Sequence, residues 1–221
     1  MKVRNALQKR KSVRAFLDRE VSTEIIERIL DAARWAPSGV NTQPWQVAVV
    51  RGETKRDLQE RLENSFHAGE AKAMDYQYYP AEWMGVYRQR RKECGLQLFS
   101  TLNISREDKD KQVAQWAANY RAFDAPVMLL FFMDKGLGTG SFLDYGMFLQ
   151  SLMLAAVEEG LATCAQAALG EYPGIVKEML GYPDDSILLG GMALGYEDAD
   201  ATVNSYRTPR AEVDAFTQFF D

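Results

Sequence analysis

The stretch AARWAPSGVNTQPW, residues 32–45, joins the end of a helix to the start of a strand. Pro37 disfavours helical backbone in the residue before it, and a Ser-Gly pair follows, so the helix is predicted to stop near Ala36. Upstream, apolar residues recur at helical spacing behind Ser22, which suits a helix N-cap. Downstream, the apolar and β-branched residues 45–50 predict a strand.

The rest of the chain continues this alternation of helices and strands. Residues 126–133 form a continuous apolar run, which is typical of a strand buried on both faces. The alternation predicts an α/β or α+β domain with a central sheet of about four strands. The other predicted helices cover 1–9, 54–64, 105–121, 142–159, 174–180 and an apolar end at 213–220, and the other predicted strands cover 163–168 and 187–194.

Composition limits the classes of function. The 221 residues carry 26 basic and 31 acidic side chains, so the net charge of −5 disfavours nucleic acid and anionic membrane as partners. Cys94 and Cys164 form no CxxC motif, so two free thiols are expected rather than a disulfide framework or a zinc site. The single histidine, His67, excludes a site built on several histidines and is interpreted as a surface residue.

The location of the protein is predicted from two absences in its sequence. Residues 1–16 contain no apolar core of a secretory signal. The longest apolar run, 126–133, is too short to cross a bilayer as a helix. We therefore expect a cytoplasmic protein that makes no membrane contact.

Three segments together resemble the nitroreductase family. Residues 10–16, RKSVRAF, are similar to that family's R-x-S-x-R-x-F opening, and residues 36–45 to its A-P-S-x-x-N-x-Q-P-W segment. Residues 191–196, followed by 204–210, resemble its last strand and its arginine-bearing tail. The matches occur in the family's order and spacing, and 140–168 also resembles the subgroup that reduces nitroaromatics such as nitrobenzoates.

This resemblance implies a fold and an activity. The fold would be an α+β sandwich with a mainly antiparallel sheet flanked by helices, forming one domain over 1–221 with a helical lid or insertion at 66–118. Two chains would intertwine as a homodimer that shares two FMN sites. The enzyme would pass hydride from NAD(P)H through flavin N5 to electron-poor nitroaromatics or quinones by a ping-pong mechanism. Neither a metal nor a catalytic side chain is expected, because the flavin carries the chemistry.

The resemblance also implies a phosphate site at the N-terminus and in the tail. Guanidinium groups bind phosphate through charge-assisted, often bidentate contacts, and Arg10 and Arg14 lie four residues apart. Ser12 adds a hydroxyl donor. The implied set is Arg10, Lys11, Ser12, Arg14, Arg207 and Arg210, with Arg210 preferred as the tail residue.

Three further segments are implied to meet the flavin ring. The turn at 37–41 would reach the flavin of the partner chain, because its short residues let backbone approach a flat ring. The side-chain amide and the cation that precede the central strand would face the pyrimidine edge of the flavin. Backbone N–H groups that follow 163–166 would face N5 of the flavin. The turn contributes Pro37, Ser38, Gly39 and Asn41. The amide and the cation are Asn119 and Arg121, and the segment near N5 contributes Gln166, Ala168 and Leu169.

Residues 66–118 allow two interpretations. Tyr78, Tyr79 and Trp83 are candidates for a lid that stacks on flat substrates, and Arg88, Arg90 and Arg91 follow as candidates to attract a carboxylate or a nicotinamide phosphate. Equally, this segment is a surface helix pair that packs on the partner chain with its basic face in water.

Other functions stay open at this point. Specialised enzymes of the same fold remove halide from halotyrosines, reduce enones or fragment flavin. A non-catalytic FMN-binding dimer would bind the flavin without turnover. A dinucleotide-binding dehydrogenase is disfavoured, because no G-x-G-x-x-G motif occurs.

Overall fold

The computed structural model describes residues 1–220, with helices on both faces of one sheet. The helices are α1 (Val3–Lys9), α2 (Thr23–Ala33), α3 (Gly52–His67), α4 (Gly85–Thr101), α5 (Lys109–Ala117), α6 (Gly140–Glu158) and α7 (Pro173–Leu180). The strands are β1 (Gln46–Arg51), β2 (Val127–Asp134), β3 (Ala162–Gln166) and β4 (Ser186–Gly195).

The four strands form one antiparallel sheet in the order β1-β2-β4-β3. Alternate side chains of β2 enter two separate cores, because successive residues of a strand point to opposite faces. Leu129 and Phe131 pack in the core with α2 and α6, and Leu130 and Phe132 pack in the core with α3 and α7. The prediction of an α+β sandwich with a mainly antiparallel sheet and a doubly buried central strand is confirmed.

A glycine in β4 brings the backbone after β3 close to the sheet. The register between β2 and β4 shifts between Phe131 and Phe132, where Gly190 adopts a φ of +134°. A Cβ atom on Gly190 would lie only 2.8 Å from the carbonyl oxygen of Gln166. Glycine is thus required where β4 passes the end of β3, since any side chain would push that backbone away.

Several predicted details agree with the structure. Ser22 caps α2, and its hydroxyl accepts a hydrogen bond from the N–H of Ile25 at 3.4 Å. His67 is half exposed at the end of α3, Cys94 is an exposed free thiol and Cys164 a buried one. Burial raises the pKa of the Cys164 thiol.

Two predicted elements were wrong. The tail at 213–220 is not helical beyond one short turn, Val213–Ala215, and its phenylalanines are exposed. The single polar helix predicted from Ser105 to Arg121 covers only Lys109–Ala117, and the bounds of the 17-residue helix α4 before it were not predicted, although 66–118 was expected to be helical. No residue of α4 is buried, so its sequence carries no apolar stripe.

Helix α6 has two apolar faces. It is the one helix within residues 1–220 that is long and apolar enough to span a bilayer by length and composition alone. Tyr145, Phe148 and Leu152 pack in the core against the sheet, as in the central helix of a sandwich. On its outer side Leu143 is 75% exposed, so α6 presents a second apolar surface.

Candidate active site

The N-terminal loop is fixed along the edge of the sheet. Ser12 forms a parallel bridge with Thr163 of β3, and the N–H of Val13 donates to the Thr163 carbonyl at 3.0 Å. The side chain of Asn204, which is 2% exposed, accepts from the N–H of Arg14 at 2.8 Å and donates to the Ala15 carbonyl at 2.8 Å. The first and last segments of the fold therefore meet beside β3.

Three arginines converge where the tail reaches the end of α1. The guanidinium of Arg207 donates to the carbonyl of Gln8 and, at 2.7 Å, to that of Arg10. Burial and the positive charges of Arg210 and Arg207 lower the pKa of Arg10. Among residues 1–220 none of the three arginines forms an ion pair. The three-arginine cluster therefore has positive charge that calls for an anionic ligand.

Lys11 and Arg14 diverge from this cluster. Lys11 pairs with Glu197 at 2.7 Å and donates to the Asn204 carbonyl at 2.6 Å, so its charge is already compensated. The guanidinium of Arg14 lies 6.0 Å above the ring of Phe123 and lines a neighbouring pocket. Lys11 is therefore paired within the chain, whereas Arg14 lines the pocket.

A pocket of about 300 Å³ lies between the end of β3 and the turn that precedes β2, with Arg14 in its lining. In it, the amide nitrogen of Gln166 donates to the Asn119 carbonyl at 2.9 Å. The other end of the same amide, Oε1, is buried without a partner among residues 1–220. A buried acceptor without a donor is costly, so a donor from a ligand would stabilise it. The walls include Arg14, Tyr79, Asn119, Phe123, Gln166, Ala167, Ala168 and Glu171. Leu169 lies behind them in the core.

A second pocket of about 240 Å³ lies between the sheet and α6. It shares the backbone of residues 165–167 with the first pocket and is bounded by Tyr76, Tyr78 and Gly190. Residues 165–167 therefore form a thin wall between the two pockets, held in place by the close approach of Gly190.

The segment that carries Tyr76, Tyr78, Tyr79 and Trp83 is anchored at its start, and its tyrosines line both pockets. Asp75 pairs with buried Lys177 at 3.0 Å and accepts from the N–H of Leu188 at 2.7 Å. The next residue, Tyr76, donates its hydroxyl to the Leu189 carbonyl at 2.7 Å. The rings then continue in contact, with Tyr78 to Tyr79 at 4.6 Å and Tyr79 to Trp83 at 5.6 Å between centroids.

The turn at residues 37–41 lies away from these pockets, against α6. The N–H of Gly39 donates to Asp144 at 3.2 Å, and the Ser38 hydroxyl accepts from the N–H of Gln43 at 2.9 Å. Val40 and Asn41 have φ values of 45° and 60°, and Val40 is 98% exposed. Such strain in non-glycine residues is typical of functional turns. Within one chain the structure does not bring Pro37, Ser38, Gly39 or Asn41 to the three-arginine cluster.

Comparison with known proteins gives this arrangement a family. The family model described as "Nitroreductase family" matches residues 7–196. The chain belongs to the nitroreductase family.

Relatives within the nitroreductase family match almost the whole chain. A 4-nitrobenzoate reductase from Pseudomonas putida is 38% identical over 95% of this chain and 92% of its own length. A solved FMN- and NADPH-dependent nitroreductase NfnB from Sphigopyxis sp. strain HMH is 39% identical and superposes with a TM-score of 0.97 over 100% of both chains. The FMN-dependent NfnB from Mycobacterium smegmatis, solved in complex with NADPH, is 34% identical, with a TM-score of 0.93 over 99% of this chain and 97% of that one.

Two residues expected in this nitroreductase-family site do not line the pocket. Arg121 is paired with Glu63 and with Asp124 at 2.9 Å, and Arg14 is the basic residue in the pocket lining. Among residues 1–220 the hydrogen bonds of Arg210 go to its own loop, so its place in the phosphate site stays a prediction.

Sequence reasoning missed two parts of the site. Asn204 holds the N-terminal loop, and only its position in the tail motif hinted at this role. Phe123, with a φ of 53° between two other left-handed residues, contributes to the pocket wall, and no glycine marks that turn.

Proposed function

We propose that this nitroreductase-family chain is an FMN-dependent oxidoreductase that uses NAD(P)H to reduce electron-poor aromatic acceptors such as nitroaromatics and quinones. The observation that carries the proposal is the three-arginine cluster, which has no counter-ion within residues 1–220, together with a pocket that holds an unpaired acceptor and is lined by Arg14. The solved FMN- and NADPH-dependent nitroreductase NfnB and the FMN-dependent NfnB in complex with NADPH superpose over nearly the entire fold.

The residues present fit the phosphate of FMN. Arg10 and Arg207 would hold it, with Arg210 nearby and the Ser12 hydroxyl as a further donor. Burial, and then repulsion from Arg210 and Arg207, lower the pKa of Arg10, and a bound dianion would offset both costs.

The pocket fits the ring end of FMN. The free Oε1 of Gln166 is an acceptor for a ring N–H, and Asn119 holds the other end of that amide. Arg14 would stabilise negative charge that builds on the ring edge during reduction. Ala167 and Ala168 are small enough for backbone N–H groups to approach the ring closely. When bound, FMN supplies the hydride chemistry, while these residues bind and orient it.

A homodimer with shared sites is part of the proposal. Val40 at 98%, Leu143 at 75% and Phe220 at 88% exposure are large apolar side chains on three different elements. Such surfaces mark interfaces. The turn at 37–41 would then complete the partner's pocket. Sedimentation is expected to give the mass of two 25.0 kDa chains, and a monomer would contradict this part of the proposal.

We further propose that the chain is one domain in which residues 66–118 act as a lid, with Tyr78, Tyr79 and Trp83 stacking on flat acceptors. The anchoring of Asp75 supports it, as do Tyr78 in the lining of one pocket and Tyr79, in contact with Trp83, in the lining of the other. The two free thiols support a cytoplasmic location, where thiols stay reduced.

The first experiment follows flavin absorbance without oxygen. Purified protein is expected to be yellow, to bleach on addition of NADPH or NADH, and to recover its flavin bands when a nitroaromatic is added. Yellow protein that does not bleach would favour a specialised relative or a binding protein. Colourless protein that takes up no added FMN would overturn the proposal.

The lid is tested by the second half of the same experiment. Tyr79→Leu is expected to slow flavin reoxidation by a nitroaromatic by about two- to tenfold, the worth of one aromatic contact. Tyr87→Leu is the matched control, because Tyr87 is exposed on α4 and lines neither pocket. Equal reoxidation rates in the two variants would remove Tyr79 from the acceptor site.

A further inference from the structure

A basic cleft lies between α4 and α5, outside the pockets described above. Its volume is about 760 Å³, within the usual range of small-molecule sites. The cleft is lined by Arg88, Arg91, Lys92 and Arg106, and no acidic residue lines it. In a chain with a net charge of −5, such a concentration of positive charge indicates an anionic ligand.

The four cations have no internal partner. Within the described residues 1–220 none of them belongs to an ion pair. Arg88, Arg91 and Lys92 stand three and four residues apart, so they share one face of α4, and Arg106 faces them from the loop before α5. Like charges at this spacing repel, and a bound phosphate would relieve that repulsion.

The same cleft carries an aromatic surface. Phe99 and Trp116 pack edge to face at 6.3 Å between ring centroids. Trp116 is 49% exposed, so much of its ring is available to a ligand. A flat base stacked on an indole, with phosphate on arginine, is the recognition expected for a phosphorylated nucleoside.

The cleft adjoins the proposed flavin pocket on two sides. Arg91 lies 5.5 Å from the ring of Trp83, which contacts Tyr79 in the wall of that pocket. From the other side, the side chain of Asn119 in the pocket donates to the Trp116 carbonyl at 3.0 Å. A ligand whose reactive ring reaches the flavin pocket would place its far end near the cleft.

We infer that this cleft binds the adenosine end of NADPH, with the 2′-phosphate on Arg88 and Arg106 and the adenine on Trp116. The inference rests on the proposed function, because it assumes a nicotinamide nucleotide as hydride donor. It assigns a preference for NADPH over NADH, since NADH lacks the 2′-phosphate.

The test uses adenosine 2′,5′-bisphosphate, which reproduces that end of NADPH and requires no turnover. Calorimetry is expected to show that it binds the holoenzyme, and that Arg106→Gln weakens it by about tenfold or more, the effect of one lost charge-assisted contact. Lys109→Gln is the matched control, because it removes the same charge three residues away on an exposed side chain outside the cleft. Trp116→Leu is expected to weaken binding while leaving the phosphate contacts.

Steady-state kinetics give the second readout. Arg106→Gln is expected to lower kcat/KM for NADPH by a similar factor and to leave that for NADH unchanged. Absence of bisphosphate binding, equal effects of Arg106→Gln and Lys109→Gln, or equal losses with both nucleotides would overturn the inference. A flavin that neither nucleotide bleaches would overturn the proposed function instead, while bisphosphate binding that depends on Arg106 would still support a nucleotide site in the cleft.

Discussion

Arg10→Ala is expected to release FMN from the purified protein, weakening its binding by about ten- to a hundredfold, because one charge-assisted phosphate contact is lost. Arg207→Ala should act in the same direction and more strongly. Its guanidinium also holds the tail through the carbonyls of Gln8 and Arg10, so both an anion ligand and the position of the loop are lost.

Flavin content per chain after gel filtration, and FMN titration of the stripped protein, measure this effect. Arg4→Ala is the control, since Arg4 lies in helix α1 just before Arg10, is exposed and forms no ion pair within residues 1–220. Unchanged affinity in both Arg10→Ala and Arg207→Ala would remove the three-arginine cluster from the cofactor site.

Gly190→Ala is expected to destabilise the fold and to lose FMN at the same time. The φ of +134° costs an alanine about 1–2 kcal/mol, and forcing a methyl group against the Gln166 carbonyl at 2.8 Å costs about 1–3 kcal/mol more. For a chain of this size each kcal/mol lowers Tm by about 2–4 °C. Displacement of residues 165–167 would also distort the wall on which the flavin ring is proposed to lie.

Thermal unfolding and FMN titration separate these two costs. Gly160→Ala is the matched control, because Gly160 also has a positive φ, +75°, but a Cβ there meets nothing within 4 Å. It should lower Tm modestly and retain FMN. A Gly190→Ala protein that binds FMN as tightly as Gly160→Ala would show that this close approach does not shape the site.

The fold was predictable where the burial of a helix or strand requires a recognisable pattern of apolar residues in the sequence. The run at 126–133 is apolar because β2 faces a core on each side, and Ser22 precedes α2 because the first N–H groups of a helix need an acceptor. Helix α4 lacked any such pattern, since none of its residues is buried within one chain. The apolar residues at 213–220 gave a wrong prediction of a helix. They form only one short turn, and their large apolar side chains are exposed.

In the candidate site too, some parts were predictable from the sequence and others were not. Motifs local in sequence, such as 10–16 and 36–45, were recognisable as units. Arg121 does not line the pocket, because it pairs with Asp124 three residues on and with Glu63, which lies 58 residues away where no local pattern reveals the pairing. The turn around Phe123 contains no glycine, and Ala122 and Phe123 are residue types that seldom take a positive φ, so its composition did not predict it.

The contact between Asn204 and residues 14–15 means that binding at the proposed anion site requires synthesis past residue 207. A ribosome that has made the N-terminal loop and all four strands has still not supplied the amide that clamps that loop, nor Arg207 beside Arg10. A chain released before residue 204 would keep every strand of the sheet yet lack the assembled anion site. Retention on an immobilised flavin phosphate would therefore separate full-length chains from such truncated products.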